Sequence, residues 1–267
     1  MTVQSNLSNA SSSLLQIKDI RNELLASQNK VLSLDEILLV SRSYYGDEEL
    51  LSLFGKKPKS FYNMGIRILG RSAIECSIDV HSIRMAKSIK KLKRAFFPRE
   101  EAIILDLFLG SGNLLYHTAK ALGFPPAIGI ENNRKIYTHT KNNLKIMGDK
   151  CRIFFGSSLN YIKKMNFPEN KPIIFLIAPP WGQALSFEDG LDLLKTTPPV
   201  DEIIARVQHT FSKQRLIFVI QTYEKLVRNS VKCITDQFTY SNEEVIPSIG
   251  EGLNTGLLVC SNEKMYH

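Results

Sequence analysis

At 267 residues the chain can bury the core of one α/β domain plus a helical extension, and it is too short for a second large domain. Lys and Arg number 34 against 26 Asp and Glu, a formal charge of +8 that favours an anionic partner such as nucleic acid over an acidic surface. The four cysteines, Cys76, Cys151, Cys233 and Cys260, are too widely spaced for a zinc module, and no apolar run reaches the ~20 residues of a membrane span. No metal site and no membrane contact are expected. With no apolar segment following a basic start, the expectation is a cytoplasmic monomer, nuclear if the host is a eukaryote.

Residues 1–13, MTVQSNLSNASSS, bury too little apolar area to offset their ordering entropy and are expected to form a disordered tail. Residues 14–98 read as a helical extension. Leu14, Leu15, Ile17, Ile20, Leu24 and Leu25 recur at helical spacing, and Ser33 with Glu36 forms a capping box that opens LDEILLVSRSYY. A shorter helix is expected over Asp47–Phe54, before a Lys-Lys-Pro-Lys-Ser loop at 56–60. The aromatic residues here, Tyr44, Tyr45, Phe61 and Tyr62, fit packing better than stacking. Arg84, Lys87, Lys90, Lys91, Lys93, Arg94 and Arg99 surround Ile83, Met85, Ile89 and Leu92 in an amphipathic basic helix over 80–99 that Pro98 should stop. Its stretch 84–94 is either a solvated face or a contact to RNA phosphates.

From 99 to 267 strands and helices alternate. Strands are predicted at 103–109, 127–131, 151–155, 172–178 and 214–221, with helices at 112–122, 133–146, 158–165 and 200–212 between them. That alternation demands a mostly parallel, doubly wound sheet with right-handed crossovers. A helix at 223–236 and strands at Tyr240–Ile246 and Thr255–Ser261 complete a seven-stranded sheet ending in an antiparallel hairpin.

Two of these strands end in chemistry. IILDLFLGSGNLL at 103–115 closes a strand on an acid and breaks into Gly110-Ser111-Gly112, where backbone can approach a ligand without Cβ interference. PIIFLI at 172–177 runs into Ala178-Pro179-Pro180-Trp181-Gly182, which holds the chain's one tryptophan. In open α/β sheets, ligands bind at such carboxyl ends. The pairing resembles the class I S-adenosylmethionine-dependent methyltransferases, whose fold is Rossmann-like. The Pro-Pro-Trp-Gly turn is most similar to the trimethylguanosine synthase family, which methylates the exocyclic N2 of guanine in RNA caps. That family's motif reads Ser-Pro-Pro-Trp-Gly-Gly; here Ala178 replaces the serine and Gln183 the second glycine. The resemblance is strongest over 103–185 and extends loosely to 60–262.

The cofactor so implied is S-adenosyl-L-methionine. Asp106 is placed to attract its cationic end, Gly110 and Gly112 to admit its carboxylate, and Glu131 with the neighbouring Asn132 to meet the ribose, nineteen residues beyond Gly112 as a ribose-reading acid requires. Asn113 either caps the following helix or touches the methionine end. A nicotinamide site is disfavoured because Leu115 stands where the third glycine of G-x-G-x-x-G would be. Ser157 takes the place of the family's aspartate as acceptor for the adenine amine, and a neutral acceptor is weaker than a charged one. His81, His117, His139 and His209 show no ligand spacing and read as surface or internally satisfied polar residues.

On the platform, carbonyls of Ala178 and Pro179 would accept from an exocyclic amine, Pro180 would hold them rigid, and Trp181 would stack on the base. The expected activity is N-methylation of an exocyclic amine, guanine N2 of RNA first. A small-molecule methyltransferase, and a non-catalytic RNA-binding protein on the same fold, remain open alternatives, as does Trp181 as a simple core filler.

Overall fold

Runs such as Ile103–Asp106 and Ile173–Ile177, apolar at nearly every position, suit strands covered on both faces. The computed structural model, which describes residues 30–247 and 254–266 together with 19 and 22–24, sets these two side by side at the centre of a seven-stranded sheet. The strands are β1 (Ile103–Asp106), β2 (Ala127–Glu131), β3 (Arg152–Phe155), β4 (Ile173–Ile177), β5 (Leu216–Tyr223), β6 (Tyr240–Ile246) and β7 (Thr255–Ser261). Their order is β3-β2-β1-β4-β5-β7-β6. The first five are parallel, with Leu105 level with both Ile128 and Phe175, and β7 lies antiparallel between β5 and β6.

Helices cover both faces. On one, Val200, Ile203, Ile204 and Val207 of α8 (Val200–Thr210) and Val231 and Ile234 of α9 (Arg228–Thr235) pack on Phe175, Phe218 and Ile220, joined by Ile162 of α7 (Ser158–Ile162). On the other, Met85, Ile89 and Phe96 of α4 (Asp79–Phe96) and Leu114, Leu115 and Ala119 of α5 (Asn113–Ala121) pack on Ile104, Ile174 and Val219. The basic helix, grouped with the extension in the sequence, therefore covers the sheet.

The extension proper holds α1 (Leu34–Tyr45), α2 (Pro58–Asn63) and α3 (Gly70–Glu75). Its capping box forms: the Ser33 hydroxyl accepts from the Glu36 N–H, and the Glu36 carboxylate accepts from the Ser33 N–H. The helix expected over Asp47–Phe54 does not. Asp47 instead accepts from the Glu49 N–H at 2.7 Å through its own carboxylate, a turn that competes with helix, and Leu53 and Lys56 close a bridge around Phe54 and Gly55, both at positive φ. Within the expected loop at 56–60, Pro58 starts α2 as its first residue, where the missing N–H costs nothing. The expected tail, 1–13, lies outside the described residues; of the first expected helix, residues 19 and 22–24 are described and helical. The extension's core, including Ile37, Leu51, Phe54, Phe61 and Ile66, closes against Tyr116 of α5 and Leu144 of α6 (Arg134–Ile146).

The sheet elements follow the predicted order with shorter ends. The helix expected from 223 starts at Arg228 because β5 continues to Tyr223, and a small hairpin, Leu185–Ser186 with Gly190–Leu191, follows the Pro-Pro-Trp turn without having been foreseen. Among the described residues no helix is long and apolar enough to cross a membrane.

Candidate active site

The strands point their carboxyl ends at one cavity of about 370 Å³, within the roughly 300–1,000 Å³ usual for small-ligand sites. Asp106, the last residue of β1, is only 3% exposed, and its Oδ1 accepts from the Phe108 N–H at 3.0 Å. Burial pushes its carboxyl up to about 7, against the stabilising Phe108 N–H and with the Glu131 charge adding to the rise. Glu131 ends β2. Its Oε2 accepts from the Gly110 N–H at 3.0 Å and its Oε1 from the Asn133 N–H at 2.7 Å; burial raises its pKa while these bonds oppose the rise. Two carboxylates thus stand at the cavity wall, both poorly hydrated. Ligand hydroxyls and a ligand cation would relieve them, and S-adenosylmethionine carries both, so the donor set fits that cofactor.

Gly110 lines the cavity with φ +51, a backbone that an L side chain rarely adopts. Asn132 and Ser157 line the same wall, both exposed. Ser157 precedes α7, and its hydroxyl makes no capping bond, which leaves it to accept from a ligand. Across the cavity, β4 delivers Ala178, Pro179, Pro180 and Trp181. The turn is fixed by the Ala184 N–H donating to the Trp181 carbonyl at 2.8 Å. Trp181 is half-buried, leaning on Tyr223 with ring centroids 6.1 Å apart, so part of its surface packs on the core and part fronts the cavity.

Nine of the eleven residues picked from the sequence therefore meet in one cavity, and Gly112 and Asn113 do not line it. Gly112 takes φ +77, and a Cβ there would stand 3.0 Å from Thr140 Cγ2, so its smallness serves helix packing. Asn113 is 1% exposed; its Oδ1 accepts from the Phe54 N–H at 2.7 Å and its Nδ2 donates to the Ser77 carbonyl at 2.7 Å. It opens α5 without capping it and anchors the extension.

Sequence reasoning missed the wall supplied by that extension and by the start of α4. Tyr44, Tyr45, Arg71, Glu75, Ser77 and His81 line the cavity, together with Gln221 and Thr255 from β5 and β7. Tyr44 and Tyr45 do pack, as expected, and Arg71 pairs with Glu75. His81, read as surface or satisfied, is neither: it is 6% exposed, and its Nε2 has no partner among the described residues. No local pattern marks these residues, since each reaches the site through a long-range contact.

The basic stretch of α4 lies away from the cavity. α4 begins beside it at His81 and runs toward the strand starts, where Phe97 lies under the Arg215 guanidinium at 5.2 Å. At 1.5 Å per residue, Lys90–Arg94 stand roughly 14–20 Å along the axis from His81.

Residues 101–230 match the sequence family described as RNA cap guanine-N2 methyltransferase. No curated protein is similar enough in sequence to register as a relative. Among solved structures, a protein designated an O-methyltransferase, from Klebsiella pneumoniae, is 11% identical with a TM-score of 0.50, covering 76% of this chain and 86% of its own. One designated an RNA methyltransferase, from Pyrococcus horikoshii, is 15% identical with a TM-score of 0.46, covering 68% and 84%. One designated a tRNA methyltransferase, from Streptococcus pneumoniae and solved with S-adenosyl-L-methionine, is 14% identical with a TM-score of 0.45, covering 69% and 74%. At these identities the likeness is one of fold.

Proposed function

We propose that this chain, a class I S-adenosylmethionine-dependent methyltransferase, methylates the exocyclic N2 of guanine in RNA. One observation carries the reading: the Ala178–Trp181 turn opens into the same cavity as Asp106 and Glu131, inside the segment that matches the guanine-N2 family. S-adenosylmethionine supplies an electrophilic methyl group on a sulfonium. Asp106 and Glu131 hold the cofactor from the β1–β2 side, with Gly110, Asn132 and Ser157 around them. An exocyclic amine is a weak nucleophile because its lone pair is delocalised into the ring. Carbonyls of Ala178 and Pro179 accept its N–H groups, which turns the lone pair out of the ring and aims it across the cavity. Trp181 stacks on the base, a contact of roughly 1–3 kcal/mol in single-strand binders. Ala178 offers no side-chain acceptor, so the turn acts through backbone alone. The methylated nitrogen is acidic enough to lose its proton to water, and the chain needs no general base.

The basic stretch 84–94 then meets the body of the RNA and leaves the reacting nucleotide to the cavity. Its distance from the cavity also favours a second reading, a guanine-bearing small molecule. Such substrates belong in the cytoplasm or, in a eukaryote, the nucleus. Labelled S-adenosylmethionine incubated with total RNA, or with free guanine nucleotides, followed by nucleoside analysis, tests both. N2-methylguanosine from RNA supports the first reading, label only in free nucleotides supports the second, and label on any other position overturns both.

A further inference from the structure

His81 is a buried polar side chain in the cavity wall whose Nε2 has no partner among the described residues. It sits in the first turn of α4, more than nine-tenths buried, and its Nε2 is unpartnered. The groups around it satisfy one another. The Ser77 hydroxyl donates to Gln221 Oε1 at 2.8 Å, and Gln221 Nε2 donates to Thr255 Oγ1 at 3.4 Å. The Thr255 hydroxyl donates to the Thr222 carbonyl at 2.9 Å, and the Ser82 hydroxyl to the Ser77 carbonyl at 2.7 Å. Asp79, the nearest carboxylate in the helix, is taken by His117 at 2.7 Å and by the Gly55 N–H at 2.8 Å. Arg84 reaches away to the Pro247 carbonyl. A buried polar atom left over from that network has a place for a partner that the described residues do not supply.

The chemistry of that partner follows from the ring. Burial, and secondarily the Arg84 charge, push the imidazole down to about 4, so near neutrality it is uncharged, with one N–H to donate. A turn of the ring about Cβ–Cγ chooses which nitrogen fronts the cavity. The start of a long helix favours an anionic acceptor there. Glu131 and Ser157 occupy the β2–β3 side, where ribose and adenine are proposed to lie. His81 stands on the other wall, beside Ser77, which Asn113 ties to the start of α5 just after the Gly110 turn. That wall is left for the amino-acid end of the cofactor.

We propose that His81 is a cofactor-binding residue that donates a hydrogen bond to the carboxylate of the amino-acid end of S-adenosylmethionine. The proposal rests on the cofactor assignment. Titration calorimetry on the full chain tests it with two thioethers, S-adenosylhomocysteine and 5′-methylthioadenosine, which share the nucleoside and differ in the amino-acid group. His81→Ala should bind S-adenosylhomocysteine about tenfold more weakly, the effect of about one hydrogen bond to a charged group. Methylthioadenosine affinity should be unchanged, and His81→Asn should recover part of the loss. Equal weakening toward both ligands, or none toward either, overturns it. Where the alanine variant does not fold, the wild-type imidazole 15N resonances supply the readout: they should shift with S-adenosylhomocysteine and stay put with methylthioadenosine, and any other pattern overturns the proposal. Failure of the wild type to bind either compound overturns the cofactor assignment itself, and the proposal with it.

Discussion

The sheet domain and the helical extension are held by different means, although both wall the same cavity. Strands β1, β2, β4 and β5 place Asp106, Glu131, Ala178 and Gln221 through unbroken backbone ladders, between two apolar layers of helices. Beside its apolar contact, the extension docks through polar side chains borrowed from the sheet domain. Asn113 accepts from Phe54 and donates to Ser77; Asn143, 4% exposed, accepts from the Arg67 N–H at 3.0 Å and donates to the Arg67 carbonyl at 2.8 Å; Asp79 of α4 accepts from the Gly55 N–H at 2.8 Å. A strand tip keeps its place through many weak, redundant bonds, whereas the extension adds to its apolar contact with Tyr116 and Leu144 two amides, each satisfying two backbone groups.

The sharpest way to break that contrast is Asn113→Ala. It leaves the Phe54 N–H without a partner inside the core and removes one of the two donors to the Ser77 carbonyl, which keeps the Ser82 hydroxyl, and it should cost roughly 2–4 kcal/mol. Urea denaturation should show the loss, and limited proteolysis should cut within 46–57 before the sheet domain unfolds. A single cooperative loss with no early cleavage would mean that the two regions are held as one.

Asp106→Asn tests the strand tips. Burial favours the protonated carboxyl in the free fold, so that contribution to stability is complete below about pH 4 and is lost as the pH rises through about 7. The asparagine variant does not titrate. Melting curves should therefore coincide below about pH 4 and favour the variant by roughly 2–4 kcal/mol near pH 8, while its affinity for the cofactor falls. Parallel profiles at all pH values would show that the carboxyl is not strained by burial.

Trp181→Ala should lower turnover by about ten- to a hundredfold, the worth of roughly 1–3 kcal/mol of stacking, with cofactor affinity unchanged and Trp181→Phe retaining a substantial part. If the indole is chiefly a core filler, the same variant should instead melt much earlier, by roughly 3–5 kcal/mol. The smallest effect is expected from Lys91→Glu with Arg94→Glu, both exposed and far from the cavity. Stability should move by less than about 0.5 kcal/mol, cofactor affinity should not move, and only the salt dependence of RNA binding should flatten. Unaltered salt dependence would make them a solvated face.

The same contrast explains what was legible in the sequence. Strand tips are local objects: an apolar run, an acid and a glycine turn suffice to place Asp106, Gly110 and Glu131, and the capping box at Ser33 and the hairpin strands at 240–246 and 255–261 are equally local. Asn113 is not. Its side chain binds a backbone group 59 positions away, and nothing nearby distinguishes that task from capping or ligand contact. Asp47–Phe54 misled for a related reason. Leu50, Leu51, Leu53 and Phe54 suggest helical spacing, but the Asp47 carboxylate satisfies a neighbouring N–H and turns the chain before a helix can start. The extension's share of the cavity, Tyr44 to Ser77, depends on how two regions meet, which periodicity does not encode.

The placement of β7 bears on how the protein is made. It is not an edge but an interior strand, bonded on both sides, and it also brings Thr255 to the cavity. During synthesis every other strand emerges first, leaving β5 with an open flank and β6 with no neighbour in the sheet. The ligand site therefore comes into being late, when a strand threads into a gap prepared for it. Until then a nascent chain carries an exposed, largely apolar strand as a sticky seam, the kind of surface that chaperones shield.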